Sequence, residues 1–189
     1  MSLTRTLYRY LFGFKKRAYR AISDNCFEGS PIINQPSLIR IRKGGELRFE
    51  KNVKLGFRDS PYFYSGYIQI RLESEDSTVS IGKNTILNNN ASLFCGNAEI
   101  QIGADCLIGP NFYCSNSDGH MLDPDRRRER PQASTVKLGD NVFIGAHVII
   151  LKGVEIGENS VIAAGSVVTR SFPSNSIIGG NPAKLIRDI

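Results

Sequence analysis

The stretch Leu138-Gly-Asp-Asn-Val-Phe-Ile144-Gly-Ala-His-Val-Ile-Ile150-Leu-Lys-Gly-Val-Glu-Ile156-Gly-Glu-Asn-Ser-Val-Ile162-Ala-Ala-Gly-Ser-Val-Val168 sets an aliphatic residue at every sixth position without a slip. Three residues after each aliphatic slot stands Asn141, His147, Gly153, Asn159 or Gly165, residue types that tolerate positive φ at a corner. One inward aliphatic residue and one left-handed corner per six predict short flat strands, three faces to a coil of about eighteen residues, and hence a parallel β-helix. A helix needs apolar spacing near 3.6 and an ordinary sheet needs longer strict alternation, so neither competes for this stretch.

Working outward, the same beat runs through Ile81, Leu87 and Leu93 and, after three extra residues, Ile102, Ile108 and Cys114. Its corner slots read Asn84, Asn90, Gly96, Asp105 and Asn111. Residues 23–56 read as a weaker start of the same solenoid, with Ile41, Leu47 or Phe49, and Val53 or Leu55 as core candidates and Gly44 and Asn52 near corners. Stacked aliphatic slots supply the core, each fully buried Ile or Leu contributing about 1.5–3 kcal/mol. Between this start and Ile81 lies an aromatic segment, Phe57, Tyr62, Phe63, Tyr64 and Tyr67, suited to packing in the core, a subunit contact or stacking on a sugar.

At 189 residues and 41% hydrophobic content, the chain holds one solenoid with short flanks: residues 1–22, a solenoid at 23–175, and a tail at 176–189 expected to form a short helix. Residues 1–60 carry 13 basic and 5 acidic side chains, so the net charge of +6 belongs to the N-terminal third. Six basic and no acidic residues fall before Ser23. On a helical wheel Leu3, Leu7, Tyr10, Leu11, Phe14, Ala18 and Ile22 share one face, with Arg5, Arg9, Lys16 and Arg20 opposite. Such a basic amphipathic helix suits the surface of an anionic membrane, a cap on the solenoid, or a neighbouring subunit. No apolar run approaches the roughly 20 residues of a membrane span, and no nucleic-acid motif accompanies the basic segment. Cys26, Cys95, Cys106 and Cys114 show no metal or disulfide spacing and no signal-peptide pattern precedes them, which points to a reducing, cytoplasmic location. Cys114 occupies an aliphatic slot and is expected in the core.

The second break in the beat is longer. After Cys114 the next slot is Leu138, leaving a loop at 117–135 that opens Ser117-Asp118-Gly119-His120 and carries Asp123-Pro124 and Arg126, Arg127, Arg128 and Arg130. Long excursions from a rigid scaffold commonly carry function. His147, the other histidine, fills a corner slot and needs no catalytic explanation; His120 fills none. An imidazole, with an ordinary pKa near 6.5, accepts a proton at neutral pH, and Asp118 or Asp123 are candidates to orient its other nitrogen. The arginine cluster is suited to a phosphate or carboxylate on an acceptor, or to a solvated loop in which Asp125 and Glu129 balance it.

Residues 79–189, through Thr135–His147, the loop histidine and the tail Ile178-Gly-Gly-Asn-Pro-Ala-Lys-Leu-Ile-Arg187, resemble the hexapeptide-repeat acyltransferases, nearest to the galactoside, maltose and capsular-sugar O-acetyltransferases. The resemblance implies an all-β left-handed helix assembled as a homotrimer, with acetyl-CoA lying between neighbouring solenoids; a three-histidine zinc site would need both His120 and His147 and the help of trimer symmetry, so no metal is expected. It implies transfer of acetyl to a sugar hydroxyl by direct attack, in surface polysaccharide or glycolipid assembly, with His120 as general base and the Ala146 N–H as oxyanion donor. Ala146, Ala164, Gly165, Thr169, Arg170, Lys184 and Arg187 match its coenzyme-binding positions, and Asn89, with Asp118 beside the base, its acceptor side. Asn97 replaces a family aspartate near the acceptor. An amino-sugar N-acetyltransferase and a non-catalytic solenoid scaffold are the alternatives.

Overall fold

The computed structural model describes residues 3–189; Met1 and Ser2 of the expected N-terminal segment, and the side chains of Leu3 and Arg5, lie outside the described residues. The chain opens with helix α1 (Leu3–Ile22) and then winds through three parallel sheets in strict rotation. The first coil is β1 (Ile32–Ile33), β2 (Ser37–Ile41) and β3 (Glu46–Phe49), one strand on each face. The second is β4 (Lys54–Leu55), β5 (Ile68–Leu72) and β6 (Thr78–Ile81); the third is β7 (Ile86–Leu87), β8 (Ser92–Cys95) and β9 (Glu99–Ile102). The fourth is β10 (Leu107–Ile108), β11 (Tyr113–Ser115) and β12 (Val136–Leu138), and the fifth β13 (Phe143–Ile144), β14 (Ile149–Ile150) and β15 (Glu155–Ile156). The sixth has β16 (Val161–Ile162) and β17 (Val167–Val168), with Phe172 bridging to Ile156 on the third face.

The six-residue beat is visible in the pairing register. Leu87, Ile108, Ile144 and Ile162 stack on the first face. Leu93, Cys114, Ile150 and Val168 stack on the second, and Ile81, Ile102, Leu138 and Ile156 on the third. All are buried, and Leu47, Phe49, Val53 and Leu55 join them, while Ile41 is partly buried and Ile39 takes the deeper place. Every corner slot adopts positive φ, from 55° at Asn141 to 75° at Gly153, apart from Gly96, which precedes the three extra residues and turns otherwise. Gly44 and Asn52 are also left-handed corners.

The tail departs from the expected helix. Residues Ser176–Gly180 form β18, which continues the first-face column through Ile178, and Ala183–Asp188 form β19, antiparallel to it across a cis Asn181–Pro182 bond. Two successive glycines and a proline without an N–H are poor helix material, whereas Ile178 is already in register with Ile162.

Helix α1 packs against β2 and the aromatic segment, but not through its apolar stripe. Phe12 lies 4.9 Å from the Phe63 ring and 5.1 Å from Tyr64, and Tyr19 lies 4.9 Å from Tyr67. Lys15 Nζ donates to the Gly66 carbonyl at 3.0 Å and Lys16 Nζ to that of Ile33. Leu7, Tyr10, Leu11, Phe14 and Ile22 are left exposed. No helix among the described residues is long and apolar enough to cross a membrane.

Candidate active site

Both insertions leave the solenoid at corners, because a corner is the place where a strand ends without breaking a ladder. The aromatic segment departs between β4 and β5, at the corner joining the first and second faces. Residues 116–135 depart between β11 and β12, where the second face meets the third.

The longer insertion is tied down at several points. Ser115 Oγ donates to the Ser117 carbonyl at 2.7 Å, Ala133 N–H to Asn97 Oδ1 at 3.0 Å, and Arg130 Nη1 to the Glu73 carbonyl at 3.2 Å. Asp118 forms an ion pair with Lys152 of the following coil. Asp123 caps a 3₁₀ turn at Pro124–Arg126 by accepting from the Asp125 N–H at 3.0 Å. Both carboxylates that the sequence offered as orienting partners are therefore engaged elsewhere. The His120 ring is held instead by the main chain, with Nδ1 3.0 Å from the Arg127 carbonyl. A carbonyl accepts only, so this contact puts the proton on Nδ1 and leaves Nε2 as a bare acceptor on an exposed ring. Nothing in a side-chain pattern announces a backbone acceptor; the turn that aims it begins at Asp123-Pro124, a pair of residue types that favours turns. Beside the loop, Glu73, Asn97, Gly119, Arg130 and Gln132 line an open cleft of about 350 Å³.

Within the arginine cluster Arg126 binds Glu129, with its guanidinium 2.6 Å from the carboxylate, and Arg127 Nη2 donates to the Leu122 carbonyl. His147 sits with φ 59° at its corner, its Nε2 3.3 Å from Asn111 Nδ2 and its ring edge-on to Tyr62. Asn111 in turn accepts from Asn90 at 3.0 Å, so the histidine ends a ladder of stacked corner side chains.

Asn89 departs from its expected place on an acceptor surface. It is fully buried, and its amide donates to the carbonyls of Phe57, Ser60 and Pro61 at 2.8–3.2 Å while Oδ1 accepts from the Phe57 N–H at 3.0 Å. Its task in the structure is to bind the aromatic segment to the third coil.

The remaining site residues fall into two groups. Ala146, Ala164 and Gly165 share the corner of the first and second faces, where the Gly165 N–H donates to the Ala146 carbonyl at 2.9 Å. A Cβ on Gly145 would meet Ala164 N at 2.6 Å, so only small residues let these coils close. Among the described residues the Ala146 N–H meets no acceptor. Lys184 and Arg187 lie on β19, with Lys184 opposite Gly179. Thr169 and Arg170 follow β17 at the other corner, with the Arg170 guanidinium 5.3 Å from the Phe172 ring centre. From Ala146 to Lys152 the chain crosses the whole second face, roughly 20 Å at about 3.3 Å per residue. The loop histidine and Ala146 therefore occupy opposite borders of one face.

Burial pushes the Cys95 thiol up to about 11 and raises those of Cys106 and Cys114 as well. Among the described residues no group of three His, Cys, Asp or Glu stands close enough to share a metal ion.

Residues 135–170 match the family model for the bacterial transferase hexapeptide (six repeats). The chain contains a hexapeptide transferase family domain. It is similar to a Saccharomyces cerevisiae protein named as an acetyltransferase, 43% identical over 130 residues, 68% of this chain and 61% of that protein. It is also similar to galactoside O-acetyltransferase of Escherichia coli K12, 39% identical over 117 residues, 61% of this chain and 57% of that protein. The chain thus spans about 60% of the length of these curated relatives. Among solved structures, the polySia-specific acetyltransferase NeuO superposes with a TM-score of 0.66 at 28% identity, over 86% of this chain and 67% of that one. A hexapeptide-repeat acetyltransferase of Vibrio cholerae in complex with acetyl-CoA superposes with a TM-score of 0.57 at 25% identity, over 99% of this chain and 90% of that one.

Proposed function

We propose that this protein is an acetyl-CoA-dependent O-acetyltransferase acting on a sugar hydroxyl, with His120 as general base, on a left-handed solenoid of residues 23–175. The observation that carries the reading is the anchoring of His120 Nδ1 on the Arg127 carbonyl, which presents Nε2 outward as a proton acceptor. The Asp118–Lys152 pair braces the start of the loop two residues before the base. An acceptor in the adjacent cleft would meet amide, guanidinium and carboxylate groups from Asn97, Gln132, Arg130 and Glu73, a lining that suits hydroxyl-rich molecules.

The corner of Ala146, Ala164 and Gly165 fits a thioester: its side chains are small and one N–H is unspent. Acetyl-CoA supplies the activated acetyl group; Ala146 N–H would face the oxygen on which charge develops, and Thr169, Arg170, Lys184 and Arg187 would hold the arm and phosphates. Because His120 and Ala146 border opposite sides of the second face, one site takes the loop of one subunit and the Ala146 corner of the next. A homotrimer supplies three such clefts. The outer rows support it: Ile32, Leu107 and Phe143 on the first face and Tyr113 on the second are exposed, whereas the third presents Glu46, Arg48, Lys137 and Glu155. One relative is named a galactoside O-acetyltransferase and one solved neighbour a polySia-specific acetyltransferase, which supports a role in surface polysaccharide or glycolipid assembly.

The test follows release of free coenzyme A by mass spectrometry across sugars, amino sugars and nucleotide-sugars, for the wild type and His120→Ala. The expected result is turnover with a hydroxyl acceptor and a loss of about 10²–10⁴-fold in the variant at unchanged oligomeric mass and coenzyme A affinity. Equal rates in the two proteins would overturn the assignment.

A further inference from the structure

Helix α1 carries two faces with different tasks. Phe12, Lys15, Lys16 and Tyr19 bind it to the solenoid and the aromatic segment. Leu7, Tyr10, Leu11, Phe14 and Ile22 lie roughly 120° around the axis, at 3.6 residues per turn, from that docked face. Each of these five is 53–76% exposed. The stripe thus remains uncovered although the helix is already packed, and large apolar side chains in one row mark an interaction surface. Its charge setting selects the occupant. The helix holds Arg9, Arg17 and Arg20, all exposed, and the chain has no acidic residue before Asp24. Pairing two copies of this stripe would bring like charges together, whereas an anionic bilayer offers an apolar interior and opposite charge in one surface.

We propose that α1 docks this protein on anionic lipid, with Leu7, Tyr10, Leu11, Phe14 and Ile22 entering the headgroup boundary, Arg17, which borders the stripe beside Tyr10, reaching the phosphates, and Arg9 and Arg20 adding positive charge on the water side. The helix lies in the plane of the membrane, and its length of 20 residues, roughly 30 Å, gives one continuous contact. The solenoid stays in water, held off the bilayer by the Phe12 and Tyr19 contacts. This inference rests on the helix alone and stands apart from the assignment of the reaction.

The experiment is vesicle flotation of the full chain at physiological salt with phosphatidylcholine vesicles and with vesicles containing 30% phosphatidylglycerol. The wild type floats with the anionic vesicles only. Leu11→Ser/Phe14→Ser weakens that binding at least tenfold, and Arg17→Gln, at the border of the stripe, weakens it about fivefold. The protein contains no tryptophan, so Phe14→Trp gives a single reporter whose emission shifts to the blue with anionic vesicles. Two results overturn the proposal: wild type that stays unbound, or serine variants that float as well as it does. A smaller oligomeric mass for the serine variants, with wild type unbound, assigns the stripe to a subunit contact instead. Coenzyme A release on a water-soluble acceptor is unchanged in these variants, so failure here is distinguishable from failure of the His120 assignment.

Discussion

Asn89→Ala separates a structural asparagine from a sugar contact. The wild-type side chain shares its two N–H groups among three carbonyls and accepts once at Oδ1, all onto residues 57–61, from a fully buried site. A net contribution of about 0.5–1.5 kcal/mol per hydrogen bond gives about 1.5–4.5 kcal/mol for two donated bonds and one accepted. Water entering the vacated space would satisfy some of the stranded carbonyls, so about 3 kcal/mol is the working figure. For a chain of this size about 1 kcal/mol moves Tm by roughly 2–4 °C, and the expected fall is about 6–12 °C. Thermal unfolding by circular dichroism measures it, and limited proteolysis should show cleavage at 57–67 well before the solenoid melts, because the aromatic segment loses its tie to the third coil. A Tm within about 1 °C of wild type, accompanied by a raised KM for the sugar alone, would refute the reasoning and return Asn89 to the acceptor surface.

Burial raises three of the four thiols, and a thiol whose pKa is raised is protonated, hence unreactive, at any pH below it. At pH 8 a thiol reagent should label exposed Cys26 and leave Cys95, Cys106 and Cys114 until the protein is denatured, with denaturant releasing all four. Gly145→Ala puts a Cβ at 2.6 Å from Ala164 N, an overpacking that should cost about 1–3 kcal/mol by chemical denaturation and lower turnover by displacing the Ala146 corner. Asp118→Asn removes a half-exposed ion pair; stability should drop by less than about 1 kcal/mol, while turnover falls several-fold through a looser loop, read as kcat at a temperature where both proteins are folded.

What was legible in the sequence is what repeats. A residue in the aliphatic column touches its counterparts one coil above and below, so the period itself encodes the contact, and Ile144 or Val168 could be buried by counting alone. The corners followed for the same reason, through residues that accept positive φ. Features used once were harder. The C-terminal residues looked like a helix, but β18 inherits its register from Ile162, which lies outside the tail itself. The wheel of α1 located the apolar stripe and not the docking face, because the aromatic partners of Phe12 and Tyr19 lie in an insertion some 50 residues away in the chain. At the site, His120 stood out by lacking a corner role, whereas its partner is a main-chain oxygen that every residue possesses. Lys152 lies in the next coil, and only the folded corner brings it to Asp118.

The direction of β19 bears on how the first sheet is edged. A parallel solenoid with an open final coil would offer its bare strand edge to the first coil of another copy, and such stacking has no natural limit to its length. By turning back along β18, the chain covers the terminal edge of the first face with a strand of opposite polarity, carrying Lys184, Arg187 and Asp188. An incoming parallel strand then meets the wrong hydrogen-bonding pattern and a row of charge. The hairpin closes this one of the three sheet edges to parallel pairing, and it is built from the same short segment that supplies cations to the proposed coenzyme cleft.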